Sequence, residues 1–468
     1  MKTSLADFLA SLSVEQYALT VGNSSANPLR DAFAKKRVVH PGVRGQMVAP
    51  GERMRVWQNL LAAPADLSKA RAVYFHIPFC TKMCLYCGFF QNYTDEERES
   101  LYVDQLIDEL KAAHTKPYFS DAPIQTIYIG GGTPSALSPN NVSRLLTAIR
   151  DYVPLANDYE LTLEARVNDL VPEKIETWFA GGVNRISVGV QTFNTKLRQM
   201  MGRIDDRQTI IDRLKILAGY RQAAIVIDLI YGLPGQSQAD LLDDLAVFDK
   251  LPIDGMDLYQ LNLFDVSPLK KAIDAGSIPS AATTIQQTEL FAAAEQYLND
   301  RAYMRKSNCH WAKTGRERNL YNQLSKCGAE IFPFGSGAGG NIGGYSLYLQ
   351  RDLKKYITGV GEGEKPMLFM AMQSPSQELH NDILKQLEQG YFNLPLLVAK
   401  YGESVQELDY LLDLWEKHGL LLRGTLLHKL TTAGRFWQMN IAQSLLECAE
   451  ALLEGNKQFI VERIAEQG

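Results

Sequence analysis

From residue 72 onward, short apolar runs rich in β-branched residues alternate with longer amphipathic stretches. The runs are AVYFHI (72–77), TIYIGG (126–131), ELTLEA (160–165), RISVGV (185–190), AIVIDLI (224–230) and MDLYQLN (256–262). Between them, Arg98–Ala113, Asn140–Tyr152 and Ala239–Leu251 repeat apolar positions at helical spacing. Strands alternating with helices predict parallel β/α units whose strands are buried on both faces and close to continuously apolar. Six such units are too few for a complete eight-fold barrel. The pattern therefore predicts an α/β fold: an open, partial (β/α)6, TIM-like barrel, with its chemistry at the C-terminal ends of the strands.

The rhythm breaks after residue 300. A Gly-rich stretch, FGSGAGGNIGGYS (334–346), leads into the helical LQRDLKKYI and the linker-like GVGEGEKP (359–366). From about residue 376 the tail reads as three helices and then two short β runs about RGT, the pattern of a small winged-helix-like unit. Residues 1–70 are mixed and turn-rich, as in VGNSSANP and HPGVRGQ, and read as an N-terminal extension. The expected division is 1–70 extension, 71–370 core with a covering segment, and 371–468 helical, winged-helix-like domain.

Composition narrows the class. The 468 residues are 46% hydrophobic and 22% charged, which suits a globular protein with a sizeable core. A net charge of −5 supplies no basic field for nucleic acid or anionic lipid, so neither partner is expected. The opening residues carry Asp7 and Glu15 and no uninterrupted apolar core, and no run of about 18 apolar residues occurs. Neither a secretory leader nor a membrane span is predicted. Six cysteines, three of them crowded together, fit a metal site in a reducing cytoplasm better than a disulfide framework.

Those three are Cys80, Cys84 and Cys87, in HIPFCTKMCLYCGFF directly after the first predicted strand. A C-x3-C-x2-C loop can grip three irons of a 4Fe–4S cluster and leave the fourth open to an external ligand. The competing reading is tetrahedral zinc with His76 as the fourth ligand. GGGTPS (130–135) follows the second strand; its glycines permit close backbone approach and its N–H groups can hold a carboxylate, or it is simply a tight turn. Glu164, Gln191 and Asp228 end or follow successive strands, where they either cap loops or converge on ligand hydroxyls such as those of a ribose. Arg203 is a carboxylate partner or a surface arginine.

Taken together, YFHIPFCTKMCLYC, GGGTPS, LTLEARV, RISVGVQTFN, MGR and IDLIYGLPGQ resemble the radical S-adenosylmethionine (SAM) superfamily, and in particular the group around oxygen-independent coproporphyrinogen III oxidase. The resemblance spans about residues 70–350 and runs more weakly through the tail. It implies a radical-SAM barrel in which Cys80, Cys84 and Cys87 hold the cluster and SAM chelates the open iron. Reductive cleavage then yields a 5′-deoxyadenosyl radical. By position, Tyr74, Tyr86, Gly131, Gly132, Thr133, Glu164, Gln191, Arg203 and Asp228 take the SAM-contact roles.

The group handles tetrapyrroles in three ways: decarboxylation of coproporphyrinogen, haem carriage, and anaerobic haem breakdown with methyl transfer. Where the carrier has a histidine, this chain has Arg318, and Asn322–Gln323 replace its Tyr–Trp pair. Gly339 stands where the oxidase has a larger aliphatic residue, which implies extra room. CGFFQN and the basic NPLRDAFAKKRVVHPG (27–42) resemble the haem-degrading branch. That branch spends SAM as radical source and as methyl donor, two per turnover, to make the linear tetrapyrrole anaerobilin and release iron. A flavodoxin or reductase is the implied electron donor. Arg30, Lys35, Lys36 and Arg37 read as haem-propionate partners or a solvated basic turn. Cys309 and His310 read as iron or proton-transfer groups or as core residues, and Cys327 and Cys448 as ordinary thiols. A decarboxylase and a non-catalytic haem carrier are the alternatives.

Overall fold

The computed structural model describes residues 4–37 and 45–455. The chain forms two compact units. One comprises Met1–Arg44, Thr283–Cys309 and Ser374–Gly468; the other, larger one comprises Gly45–Ala282 and His310–Gln373. Residues 45–70 thus belong to the larger unit.

The core of the larger unit is six parallel strands: β1 (Arg71–Ile77), β2 (Ile124–Gly131), β3 (Leu155–Arg166), β4 (Arg185–Gln191), β5 (Ala224–Tyr231) and β6 (Gly255–Gln260). Each pairs with the next in chain order. The connecting helices start where local chemistry dictates. Asp95 caps Glu96–His114, Ser138 followed by Pro139 starts Pro139–Tyr152, and a Ser237–Asp240 capping box starts Gln238–Lys250.

The sheet continues on both sides of these six strands. Glu330–Phe334 lies parallel to β1, and Gly339–Ile342, Tyr345–Leu349, Met367–Gln373 and Gly45–Met47 extend that side antiparallel. The Gly-rich stretch 334–346 therefore contributes strands after the β/α rhythm has ended. On the other side, His310–Ala312 pairs antiparallel with β6.

One expectation changes here. The six strands are not apolar on both faces but alternate. Val73, Phe75, Ile127, Ile129, Leu161, Leu163, Ile186, Val188, Ile225, Ile227, Met256 and Leu258 are buried on one face. The other carries Tyr74, His76, Tyr128, Thr162, Glu164, Arg185, Ser187, Asp228 and Asp257. Period-two alternation in a parallel sheet means a polar interior.

The smaller unit contains the helices Gln377–Glu388, Leu394–Tyr401 and Leu408–Lys417 and a three-stranded antiparallel sheet of Tyr391–Phe392, His428–Leu430 and Leu421–Leu422. This is the winged-helix-like arrangement, with one more strand than the sequence pattern showed. A long last helix, Gln438–Glu454, follows. It buries polar groups: Glu447 Oε1 accepts from Arg37 at 2.7 Å and from Gln443 at 2.8 Å, and Ser444 Oγ accepts from Arg37 at 3.3 Å. Among the described residues no helix is long and apolar enough to cross a membrane.

Both Arg37 and Glu447 side chains are almost fully enclosed, at 3% and 0% exposed. Removing one partner strands the other charge out of water. Glu447→Ala should cost about 3–5 kcal/mol, and Glu447→Gln less, read as a lowered midpoint in chemical denaturation. A midpoint unchanged in Glu447→Ala would show that this pair does not hold the last helix in place.

Candidate active site

β1 ends at Ile77, and Pro78 turns the chain into the cysteine loop. Phe79–Cys80 then pairs with Asn92–Tyr93, closing the base of that loop. Cys80 and Cys84 are buried and Cys87 partly so. Each sulfur has its own donor: Thr133 Oγ1 to Cys80 at 3.3 Å, an Arg166 guanidinium nitrogen to Cys84 at 3.7 Å, and the Phe89 amide to Cys87 at 3.3 Å. Donors aimed at sulfur stabilise metal-bound thiolates and tune an iron–sulfur centre. Burial, against the Thr133 hydrogen bond and the Arg166 charge, pushes the Cys80 thiol above its ordinary value.

Among the described residues no three His, Cys, Asp or Glu side chains gather as ligands of a single ion. The zinc reading also needs His76, and both of its ring nitrogens are engaged. Nδ1 lies 2.9 Å from the Tyr74 hydroxyl and Nε2 lies 3.1 Å from Gln91 Nε2. Burial, with Arg351 adding to it, lowers His76 to about 4 and keeps it neutral. Three separate, individually hydrogen-bonded sulfurs fit a multi-iron cluster better than one closed zinc ion.

The glycines after β2 are there for lack of room. Gly132 donates to Ile77 O at 2.7 Å, and a Cβ on it would lie 2.7 Å from Phe79 O and 3.1 Å from Cys80 Sγ. Gly131 has φ +113°, and a Cβ there would strike the His76 ring. Its amide donates to Glu164 Oε2 at 3.2 Å, while Tyr128 donates to Glu164 Oε1 at 2.8 Å. Burial outweighs these two bonds and raises Glu164 to about 6.

Further round, Ser187 Oγ donates to Asp228 Oδ1 at 3.3 Å. Burial first, then the neighbouring Asp257 and Glu164, raise Asp228 to about 7. Gln191 sits at φ +72°, beside a register shift at the end of β4. Arg203 is no surface residue: Nε donates to the Tyr86 hydroxyl at 2.9 Å and a terminal nitrogen to Gly189 O at 2.7 Å. It ties the cysteine loop to β4. All nine positions expected to contact SAM thus lie in the larger unit: Tyr74 and Asp228 within their strands, Gly131, Glu164 and Gln191 at or near strand ends, and Tyr86, Gly132, Thr133 and Arg203 in the segments that follow.

Several residues of this site were not singled out from the sequence: Tyr128 and Tyr321, which join the expected Tyr74, and Arg185, Asp257 and Glu317, which gather about the expected His310. Tyr74, Tyr128 and Tyr321 form an aromatic group, with ring centroids 4.7 Å apart for Tyr128–Tyr321 and 6.3 Å for Tyr74–Tyr128. Behind Asp228 lies a charged array. His310 Nδ1 is 3.0 Å from Asp257 and Nε2 is 3.2 Å from Glu317, which also binds Arg185 at 3.1 Å. The readable signal was a charged residue inside a predicted strand, Arg185 in RISVGV and Asp257 in MDLYQ.

The remaining expected residues lie elsewhere. Cys309 is partly buried in the smaller unit, with Ser307 Oγ 3.7 Å from its sulfur. Arg30, Lys35, Lys36 and Arg37 also lie in the smaller unit. Arg30 pairs with Asp31 at 3.4 Å, Lys36 stands 3.7 Å over the Phe436 ring, and Arg37 holds Glu447. The Lys35 carbonyl accepts from Asn440 at 3.0 Å. Residues 38–42 of the basic stretch are outside the described residues. The room vacated at Gly339 is filled by its strand partner: a Cβ there would lie 2.7 Å from the Tyr348 ring.

Comparison with known proteins agrees with this geometry. The family model for the radical SAM superfamily matches residues 74–247. The chain is 37% identical to anaerobilin synthase of Escherichia coli O157:H7 over 90% of its own length and 93% of that protein. It is 40% identical to the heme chaperone HemW of Lactococcus lactis over 42% of its length and 51% of that protein. The solved structure of coproporphyrinogen III oxidase (HemN) from Escherichia coli, a radical SAM enzyme, shares the fold at TM-score 0.74 and 20% identity, covering 91% of this chain and 99% of that one. With a cysteine loop hydrogen-bonded at every sulfur and a near full-length relative of this kind, the chain belongs to the radical SAM superfamily, within the family of anaerobilin synthase.

Proposed function

We propose that this radical SAM enzyme opens the haem macrocycle without oxygen, transfers a methyl group from SAM, and releases iron with a linear tetrapyrrole, anaerobilin. The observation that carries the reading is its likeness, over almost the whole of both chains, to a protein named anaerobilin synthase. Enzymes of this superfamily use a 4Fe–4S cluster and SAM. When bound, these supply a low-potential electron and a carbon radical, chemistry that side chains alone do not provide.

The residues have the following parts in this reading. Cys80, Cys84 and Cys87 would hold the cluster, under the donors from Thr133, Arg166 and the Phe89 amide. Tyr74, Tyr86, Gly131, Gly132, Thr133, Glu164, Gln191, Arg203 and Asp228 would bind and orient SAM, two molecules per turnover. Arg203 keeps Tyr86 in place through their 2.9 Å hydrogen bond. Haem is the proposed substrate, and an external donor of the flavodoxin or reductase type would deliver electrons in a reducing cytoplasm.

A specific contact weighs against the haem-carrier reading. Arg318, standing where the carrier has a histidine, donates to Asp158 O at 2.9 Å and Tyr159 O at 3.2 Å. A guanidinium has no lone pair to give to iron, and this one is committed to the backbone.

Anaerobic incubation with haem, SAM and a strong reductant tests the proposal. Loss of the Soret band with formation of 5′-deoxyadenosine and a methylated open-chain product is expected. Haem bound tightly with its Soret band intact would favour a carrier, and turnover of coproporphyrinogen III in its place would favour a decarboxylase. A separate test concerns the cluster. Cys84→Ala should lose iron, sulfide and the broad visible absorption together, whereas one zinc per chain and no sulfide in reconstituted wild-type protein would overturn the assignment.

A further inference from the structure

The array behind Asp228 can be read from its geometry. In a neutral imidazole one nitrogen is an acceptor, and an acceptor facing a carboxylate is repelled. His310 has a carboxylate oxygen at each nitrogen, 3.0 Å to Asp257 and 3.2 Å to Glu317, inside a fully buried site. With both carboxylates ionised, the arrangement suits a ring that carries hydrogen on both nitrogens, an imidazolium. Arg185 holds Glu317 through Nε, at 3.1 Å to each oxygen. Two cations and two carboxylates thus balance: His310 with Asp257, and Arg185 with Glu317.

Asp228 is left over. Strand pairing sets it directly beside Asp257 and Gly189. The groups facing it are Asp257 from β6, Glu164 from β3, Ser187 and Arg185 from β4, Tyr128 from β2 and Arg203 from the segment after β4. Among the described residues Asp228 makes no ion pair, and Arg185 and Arg203 are already committed. Ionising it would add a negative charge beside two other acids, Asp257 and Glu164, with Arg203, held by the neutral oxygens of Tyr86 and Gly189, as the one facing cation among the described residues not paired with a carboxylate.

We propose that Asp257, His310, Glu317 and Arg185 are a positioning array that leaves the site's proton on Asp228, which then meets the ribose diol of SAM as a neutral carboxyl, donor and acceptor together. The inference rests on SAM as a ligand of the family and not on the haem reaction. The electrostatics of the site agree with it. Burial alone would lower His310, but Asp257 and Glu317 outweigh it and raise the ring to about 9. Burial would likewise raise Glu317, but Arg185 and His310 bring it down to about 2. Asp228, raised by burial and then by Asp257, stands at about 7. Its proton is therefore present below neutrality and lost as pH rises through that value.

The test is an infrared pH titration of the anaerobic holoenzyme carrying carboxyl-labelled aspartate. The carbonyl stretch of a protonated acid is distinct from the carboxylate bands. Burial also raises Asp244 to about 7, so the readout is the wild-type spectrum minus that of Asp228→Asn: a protonated-carboxyl component lost in the variant should titrate near neutral pH. Asp257→Asn removes a like charge and should move the midpoint down by about one pH unit or more. His310→Gln removes a cation and should move it up. SAM affinity should weaken through the same midpoint in the wild type, and that step near neutral pH should be lost in Asp228→Asn, leaving only what Glu164 contributes at lower pH. A merely structural role would not send the two neighbouring variants in opposite directions. A band unaffected by Asp228→Asn, no protonated carboxyl in the wild type at about pH 6, or two midpoints moving together would overturn the proposal.

Discussion

Strands that run parallel all finish on the same side of their sheet, and the site depends on that shared direction. β1 delivers the cysteine loop, β2 the glycine turn, and β3, β4 and β5 bring Glu164, Gln191 and Asp228. No two of these come from one short stretch of chain beyond the loop itself. Their spacing is set by strand register, a backbone property, and is held by hydrogen bonds between main chains. Close contact then refines it. Gly132 lies so near Phe79 and Cys80 that any side chain there would push the second strand end away from the cysteine loop.

A polar interior face carries a cost that the apolar face does not. Moving a charge out of water costs roughly several kcal/mol per ion even after relaxation. The larger unit limits this by pairing: His310 with Asp257, Arg185 with Glu317 and Arg318 beside Glu160, the last at 3.6 Å. These pairs are better understood as fixing charge and orientation than as adding stability. The groups left without a charged partner near the strand ends, Glu164 and Asp228, are raised toward neutrality. They are also the groups a ligand would reach.

The fold was largely legible because each of its strands is a local event. All six apolar runs became strands, and the hairpin about RGT took its place in the winged-helix-like sheet. Cys80, Cys84 and Cys87 were legible because they lie in one loop, and Gly131 to Thr133 because glycine has few other reasons to repeat. Of the array of Asp257, His310, Glu317 and Arg185 only His310 was, since the array joins separate segments and its other members alone are ordinary charged residues. The same limit applies to Gly339. Its vacancy was readable, but its occupant, Tyr348, is decided by which residue stands opposite across two strands. Polar groups on the last helix were likewise invisible until Arg37 was seen to meet Glu447.

The short segment from Glu317 to Tyr321 shows why single replacements within this family cannot be weighed alone. Glu317 binds Arg185 and His310, Arg318 bridges to the carbonyls of Asp158 and Tyr159, and Tyr321 lies 4.7 Å from Tyr128. Between them, Asn319 turns the chain at φ +53°, and Glu160 accepts the Leu320 amide at 2.9 Å at the start of the helix Leu320–Lys326. A carboxylate at that end of a helix is favourably placed. Replacing Arg318 with histidine would supply an imidazole but release two backbone carbonyls and the charge beside Glu160. The guanidinium is thus part of what holds Tyr321 against Tyr128 and Glu317 against its cations. The residue that removes an iron ligand at position 318 also anchors the turn that carries Glu317 to its cations.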